Sequence, residues 1–182
     1  MDIAGGVIRM STGTTASGKA GRSNISGAGN FSFKTGMEYF CGNRAYYSDL
    51  PDATDDFYTF VGYKQTSSAD PRSNTSAGLY YDRNYTNWQF LRYYGGTAYY
   101  TDTGIPFAAT TWFDLGVKVT GHDTYSSVLL EAFINGVSVV SANTVQNVTS
   151  LWNFNFEITK IAGTNTRHMY IDHEFIASRR TA

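Results

Sequence analysis

The residues of this chain that could do chemistry are few, and the first are two carboxylates. "YIDHEF" places Asp172 and Glu174 two positions apart, which on a regular strand puts both on one face. Carboxyl groups so placed can reach the separation used in glycoside hydrolysis. Such a pair works beside aromatic subsites, and nothing in the sequence sets this strand next to them, so surface or edge charges are the favoured reading. A second stretch, "GTTASGKA" from Gly13 to Ala20, falls one residue short of the phosphate cradle G-x-x-x-x-G-K-[ST]. That cradle needs a hydroxyl for magnesium at its last position and a helix behind it. Ala20 has no hydroxyl, and "GRSNISGAGN" is too rich in Gly, Ser and Asn to nucleate a helix. The stretch reads as a loop.

Metal and nucleophile chemistry fare no better. His168 and His173 lie five apart, hence on opposite faces of a continuous strand, and His122 is remote from both. "LPDATDDF" offers Asp52, Asp55 and Asp56 as oxygen ligands for calcium, but without EF-hand spacing it reads as a solvated turn. Cys41, the single cysteine, reads as a small buried hydrophobe. No G-x-S-x-G sequence marks a nucleophile elbow. The expectation is a non-catalytic domain with no metal and no cofactor.

Recognition has a better candidate. In "NWQFLRYYGGTAYYTDTG" a two-residue turn at Gly95-Gly96 pairs Tyr94 with Thr97, Arg92 with Tyr99 and Phe90 with Thr101. One face then carries Trp88, Phe90, Arg92, Tyr94, Thr97, Tyr99 and Thr101; the other carries Gln89, Leu91, Tyr93, Ala98, Tyr100 and Asp102. The face holding Arg92 is the worse one to bury, because an unpaired buried charge is costly. Arg92, Tyr94 and Tyr99, continued by Trp88, are therefore the candidate ligand-binding residues, suited to the apolar face and hydroxyls of a sugar or to a protein partner. The alternative is a cross-strand cation–π pair of Arg92 on Tyr99.

The elements that must position these residues are strands. Short alternating segments recur between turn signals, and helical periodicity is absent. In "WFDLGVKV" Phe113, Leu115, Val117 and Val119 oppose Asp114, Gly116 and Lys118, and in "NFNFEITK" Phe154, Phe156 and Ile158 oppose Asn153, Asn155, Glu157 and Thr159. Both read as half-buried antiparallel strands. Asn135-Gly136 marks a type I′ hairpin. Tyr46-Tyr47 and Tyr80-Tyr81 each place one ring inward and one outward. Residues 11–30 and 64–78 read as long polar loops, and residues 1–182 as one β-sandwich domain.

The 14 basic and 15 acidic residues give a net charge of −1, so no footprint for nucleic acid is expected. No apolar run approaches the roughly 20 residues that span a bilayer. A soluble chain without membrane insertion or a secretion signal is the expectation, and the five Asn-x-Ser/Thr sequons are read as chance.

The order "TDTGIPFAATTWFDLGVKVTG", "VLLEAFINGVSVVS", "YIDHEFIA" resembles the concanavalin A-like lectin/glucanase jelly roll. The resemblance extends back through "DDFYTFVGY", "GLYYDRNYTNWQF" and "TGTTASGKAG" in an order similar to domains of tail fibres and other virion proteins of tailed bacteriophages. It implies an all-β, two-sheet antiparallel jelly-roll sandwich. It also implies a virion location, a host-surface glycan as partner and a homo-oligomer, for which a trimer would suit a fibre. Glucanases of this fold open an E-x-D-x-x-E or E-x-D-x-E pattern with a glutamate, and Tyr170 stands there in this chain. The strand motifs of alginate lyases of this fold, with Arg, Gln/His and Tyr/Lys, are not recognised. The expected function is accordingly non-catalytic adhesion, with two alternatives: a polysaccharide hydrolase or lyase using Asp172 and Glu174, and a purely structural virion domain.

Overall fold

The computed structural model describes residues 2–3, 6–23, 32–66, 69–121, 127–145 and 152–181. Thirteen strands make two antiparallel sheets. The seven-stranded sheet runs β1 (Asp2–Ile3), β2 (Val7–Ser11), β13 (His168–Arg180), β4 (Met37–Tyr47), β9 (Trp112–Gly121), β10 (Ser127–Ile134), β11 (Val137–Val145). The six-stranded sheet runs β3 (Lys19–Ser23), β12 (Asn153–Lys160), β5 (Phe57–Lys64), β6 (Ser76–Tyr81), β7 (Asn87–Tyr94), β8 (Thr97–Pro106). Among the described residues no helix forms, and none is therefore long and apolar enough to cross a membrane.

Alternation builds the core between the sheets. Phe113, Leu115, Val117 and Val119 of β9 face Phe154, Phe156 and Ile158 of β12 within one buried cluster. Tyr81 stacks on Phe107 at 3.9 Å with planes 5° apart, and Cys41 sits fully buried in the same cluster. Both tight turns form as the sequence requires. Asn135 and Gly136 have φ of 52° and 78°, and Gly95 and Gly96 have 59° and 81°, the positive values of a type I′ turn.

Three expectations change. The stretch read as an 11–30 loop contains β3, which starts at Lys19 and pairs with β12. Its run of small residues hid the strand, and Gly18 just before it is obligatory, since a Cβ there would lie 1.8 Å from the carbonyl oxygen of Thr12. Likewise β12 is buried on both faces, not half-buried, because a second layer covers the outer face of its sheet.

The third change concerns the hairpin of β7 and β8. Its register is as expected, with Arg92 opposite Tyr99 and Phe90 opposite Thr101. The face that meets the inter-sheet core is the reverse: Trp88 and Phe90 are fully buried in it, while Leu91 of the other face is buried in a separate cluster on the outer side of the sheet. Arg92 is tolerated on the core face because it lies at the turn end, where the hairpin passes beyond the packed interior and the residues are only half-buried. Trp88 is thus a core residue and not a ligand-binding one. Its ring meets Tyr47, Phe107 and Phe113 at centroid distances of 5.9, 5.2 and 5.7 Å. Trp88→Ala is expected to lower unfolding free energy by about 3–5 kcal/mol, the usual cost of emptying so large a site. Urea denaturation followed by circular dichroism measures it, and a loss under about 1 kcal/mol would contradict the core assignment.

Candidate functional site

The carboxylate pair does not assemble. A β-bulge in β13 between Ile171 and His173 sets Asp172 and His173 together opposite Arg44. Asp172 lies 3.8 Å from Arg44 on the outer face of the seven-stranded sheet. Beyond the bulge the alternation is reversed. Glu174 pairs in register with Asn43, a buried residue on the opposite face, and its carboxylate reaches Arg22 of the other sheet at 2.9 Å. The same bulge brings His173 to the face that carries His168, so parity does not separate those two; five strand positions, about 16 Å, do. His122 lies outside the described residues. Among the described residues no group of three or more His, Cys, Asp or Glu is placed to hold a metal.

The acidic loop is occupied by a side chain. Arg167 is buried and its guanidinium lies 3.6, 3.4 and 3.6 Å from Asp49, Asp52 and Asp55. Backbone N–H groups of Thr54 and Asp55 donate to Asp52 at 2.8 Å each and, with Arg167 nearby, hold its carboxyl below the usual carboxylate range. Asp55 and Asp56 are themselves buried, paired with Arg167 and Arg83 respectively, so this is an ion-paired corner, not the solvated turn expected.

At the hairpin, Arg92, Tyr94 and Tyr99 do come together. Tyr99 stacks on Tyr94 at 4.7 Å, and Arg92 donates to the Thr101 hydroxyl at 3.3 Å. This cluster continues the core face of its sheet, away from the layer described next.

That layer, on the outer face of the six-stranded sheet, was missed. Lys19, Lys64 and Glu157 come from three adjacent strands, β3, β5 and β12. Both ammonium groups contact the same carboxylate oxygen, Oε2 of Glu157, at 2.8 Å from Lys19 and 2.7 Å from Lys64. Lys64 is fully buried and also donates to the carbonyl of Ala69 at 2.9 Å. Beside this cluster Tyr58, Phe60, Tyr80 and Leu91 form a second apolar group, flanked by Tyr85. Arg72 lies over the Tyr58 ring at 4.9 Å and pairs with Asp70 at 2.6 Å, while Tyr80 donates to Asp82 at 2.7 Å. A pocket of about 340 Å³ opens at the β3 edge, walled by Lys19, Gly21, Ser23, Asn155 and Glu157 among others. The alternation of "NFNFEITK" contained one signal for this layer: a glutamate and two asparagines on the face opposite three apolar residues.

Burial, with the like charge of Lys19 adding to it, pulls Lys64 down from 10.5 to about 8 against the attraction of Glu157. Burial raises the phenols of Tyr58 and Tyr80 well above their usual range and that of Tyr100 to about 12. The linkage sign follows. Between pH 8 and 10.5 the unfolded chain holds a proton on residue 64 that the folded chain has released, so stability rises with pH through that window. Chemical denaturation at intervals from pH 7.5 to 10 is expected to show this rise, and Lys64→Met to remove it. A wild-type slope unchanged in Lys64→Met would contradict the assignment.

No curated protein matches this chain by sequence. Among solved structures it is similar to the alginate lyase Aly36B, at 12% identity and a TM-score of 0.64, over 99% of this chain and 84% of that one. It is also similar to an endo-1,3-beta-glucanase from Streptomyces sioyaensis, at 10% identity and a TM-score of 0.67, over 96% of this chain and 76% of that one. A third is the carbohydrate recognition domain of Emp47p, at 10% identity and a TM-score of 0.59, over 96% and 83%. These likenesses confirm the two-sheet jelly-roll sandwich of concanavalin A type. They overturn the expectation of a non-catalytic domain, because an alginate lyase and an endo-glucanase share the fold. That expectation leaned on the absence of local motifs, those of glucanases, of lyases and of a nucleophile elbow, and a sheet can carry catalytic groups without them. Residues 4–172 match the family described as SO2946-like, C-terminal domain, and the chain belongs to that family.

Proposed function

We propose that this chain is a polysaccharide-degrading jelly-roll domain whose substrate lies along the outer face of the six-stranded sheet. The observation that carries the reading is geometric: the ammonium groups of Lys19 and Lys64 converge on one oxygen of Glu157, Lys19 and Glu157 wall the pocket at the β3 edge, and burial brings Lys64 to about 8. A group that exchanges its proton near neutrality is what general acid–base chemistry requires. The raised phenols alongside it stay protonated at neutral pH, and that of Tyr80 is already given to Asp82, so they fix the layer that keeps Lys64 and Glu157 dry. Support from outside the chain comes from the solved structures similar to it, among them alginate lyases, one in complex with dimannuronate, and an endo-1,3-beta-glucanase. Asp172 and Glu174, on opposite faces, have no part in this chemistry.

The virion setting implied by the sequence resemblance belongs to the same reading. A tail-fibre domain that cuts a host-surface glycan joins attachment to clearance of the surface layer. Repeated copies would raise avidity without new contacts, with Arg92, Tyr94 and Tyr99 as a further glycan-contacting surface at the hairpin. Light scattering is expected to find a homo-oligomer, a trimer for a fibre, and a strict monomer at high concentration would remove that part.

The activity itself is tested by incubating the purified chain with alginate, 1,3-β-glucan and bacterial surface polysaccharides. Reducing ends report cleavage of either kind, and ultraviolet absorbance of an unsaturated product separates elimination from hydrolysis. Glu157→Gln and Lys64→Gln are expected to lower the rate by about 100-fold or more while circular dichroism stays native. Asp172→Asn is expected to leave the rate unchanged. Absence of product from every polysaccharide, or full activity in folded Glu157→Gln, would sink the proposal.

A further inference from the structure

We infer that the pocket at the β3 edge of the six-stranded sheet is a subsite for an anionic sugar unit, with Lys19 as the residue that takes its negative group. The inference rests on the polysaccharide reading above and names the substrate class.

Charge counting leads to it. One carboxylate neutralises one ammonium, yet Glu157 holds two, through a single oxygen. Lys64 is the fixed partner, since it is buried and tied also to the Ala69 carbonyl. Lys19 is the surplus cation. Its side chain is 33% exposed and stands on the pocket wall, free to turn from Glu157 toward a ligand. Arg22 lines the pocket as well, but Glu174 neutralises it at 2.9 Å. The groups facing Lys64 are Glu157 and Lys19 from neighbouring strands and Asp70 from the segment that follows β5, and Asp70 is already paired with Arg72.

The pocket carries a second, independent sign of a ligand. Glu157 is 2% exposed, and its other oxygen, Oε1, has no hydrogen-bond partner among the described residues; nor has the buried Oγ of Ser23. Gly21, opposite Glu157 in register, lets β3 lie close against it, since a Cβ there would fall 2.8 Å from the Glu157 Cβ. A surplus ammonium beside an unmet carboxylate oxygen and an unmet hydroxyl suits a ligand unit bearing both a negative group and hydroxyl donors. A carboxylated or a sulfated sugar has that chemistry; a neutral sugar leaves Lys19 unanswered. When the ligand's anion draws Lys19 away, the like charge on Lys64 is relieved and Lys64 holds its proton more tightly.

The test is calorimetric titration of the intact chain at low salt with an oligouronate, a sulfated oligosaccharide and a neutral oligoglucan of equal length. At least one acidic ligand is expected to bind about tenfold or more tightly than the neutral one. Lys19→Met is expected to abolish that preference, and Lys19→Arg to retain it. Titration near pH 8 in two buffers of different ionisation enthalpy is expected to show proton uptake with the acidic ligand only. Whichever acidic ligand wins identifies the anionic group. Equal binding of acidic and neutral saccharides, or a preference that survives in folded Lys19→Met, overturns this inference and leaves polysaccharide degradation standing. Failure to bind or cleave any saccharide overturns both.

Discussion

Burying the carboxylate of Glu157 in the outer layer of the six-stranded sheet costs several kcal/mol unless positive charge goes with it. Two ammonium groups do, one from the strand on each side, at 2.7 and 2.8 Å. Because the three residues come from β3, β12 and β5, the ion cluster works only when those strands pair in one register. A slip of one residue would turn Glu157 into the apolar core and Ile158 into the charged layer. The cluster therefore specifies the sheet as much as it stabilises it, and the pocket, the lowered Lys64 and the surplus Lys19 follow from it.

The second layer explains the composition of the strands. A sheet covered on one side needs strict alternation of apolar and polar residues, whereas β5 and β6 are buried at every position. Tyrosine answers that demand, since its ring packs while its hydroxyl finds a polar partner. Tyr81 enters the inter-sheet core and Tyr80 the outer cluster, where its hydroxyl meets Asp82. Gly62 and Gly78, opposite one another, complete the fit: a Cβ on Gly78 would lie 2.6 Å from the Phe60 ring. The outer face is thus a packed layer with charge at one end and phenols at the other.

Much of this was legible in the chain itself. The alternation of "WFDLGVKV", the Asn-Gly and Gly-Gly turns and the pairing of Arg92 with Tyr99 follow from local rules, and all formed as read. What local rules do not carry is which face of a strand meets which layer. For the β7–β8 hairpin both faces are aromatic, and one arginine seemed to decide; yet Arg92 sits half-buried past the end of the core, where its guanidinium reaches the Thr101 hydroxyl. At Asp172 one extra residue in β13 reversed every side chain beyond it, a step that period-two reasoning assumes away. The Lys64–Glu157 contact spans 93 positions of sequence and has no motif. Lys19 was noticed only as the lysine of a failed phosphate cradle.

That lysine shows why residue type and spacing predict chemistry poorly on a sheet. In a phosphate cradle the lysine, the glycines and the hydroxyl are neighbours in sequence because one loop and one helix supply them all. On a sandwich, neighbours in space are contributed by strands distant in sequence, so the unit of chemistry is a rung across the sheet. Lys19 with Thr159 and Tyr58 form one such rung, Gly21 with Glu157 and Phe60 form the next on the same face, and Lys64 stands further along β5 opposite Asn153. A phenol held protonated by burial and one ammonium that gives up its proton near pH 8 thus come from different rungs, with Glu157 between them. Neither group is unusual in sequence. Their proximity, and the dry layer that shifts their proton affinities in opposite directions, arise only when the rungs assemble.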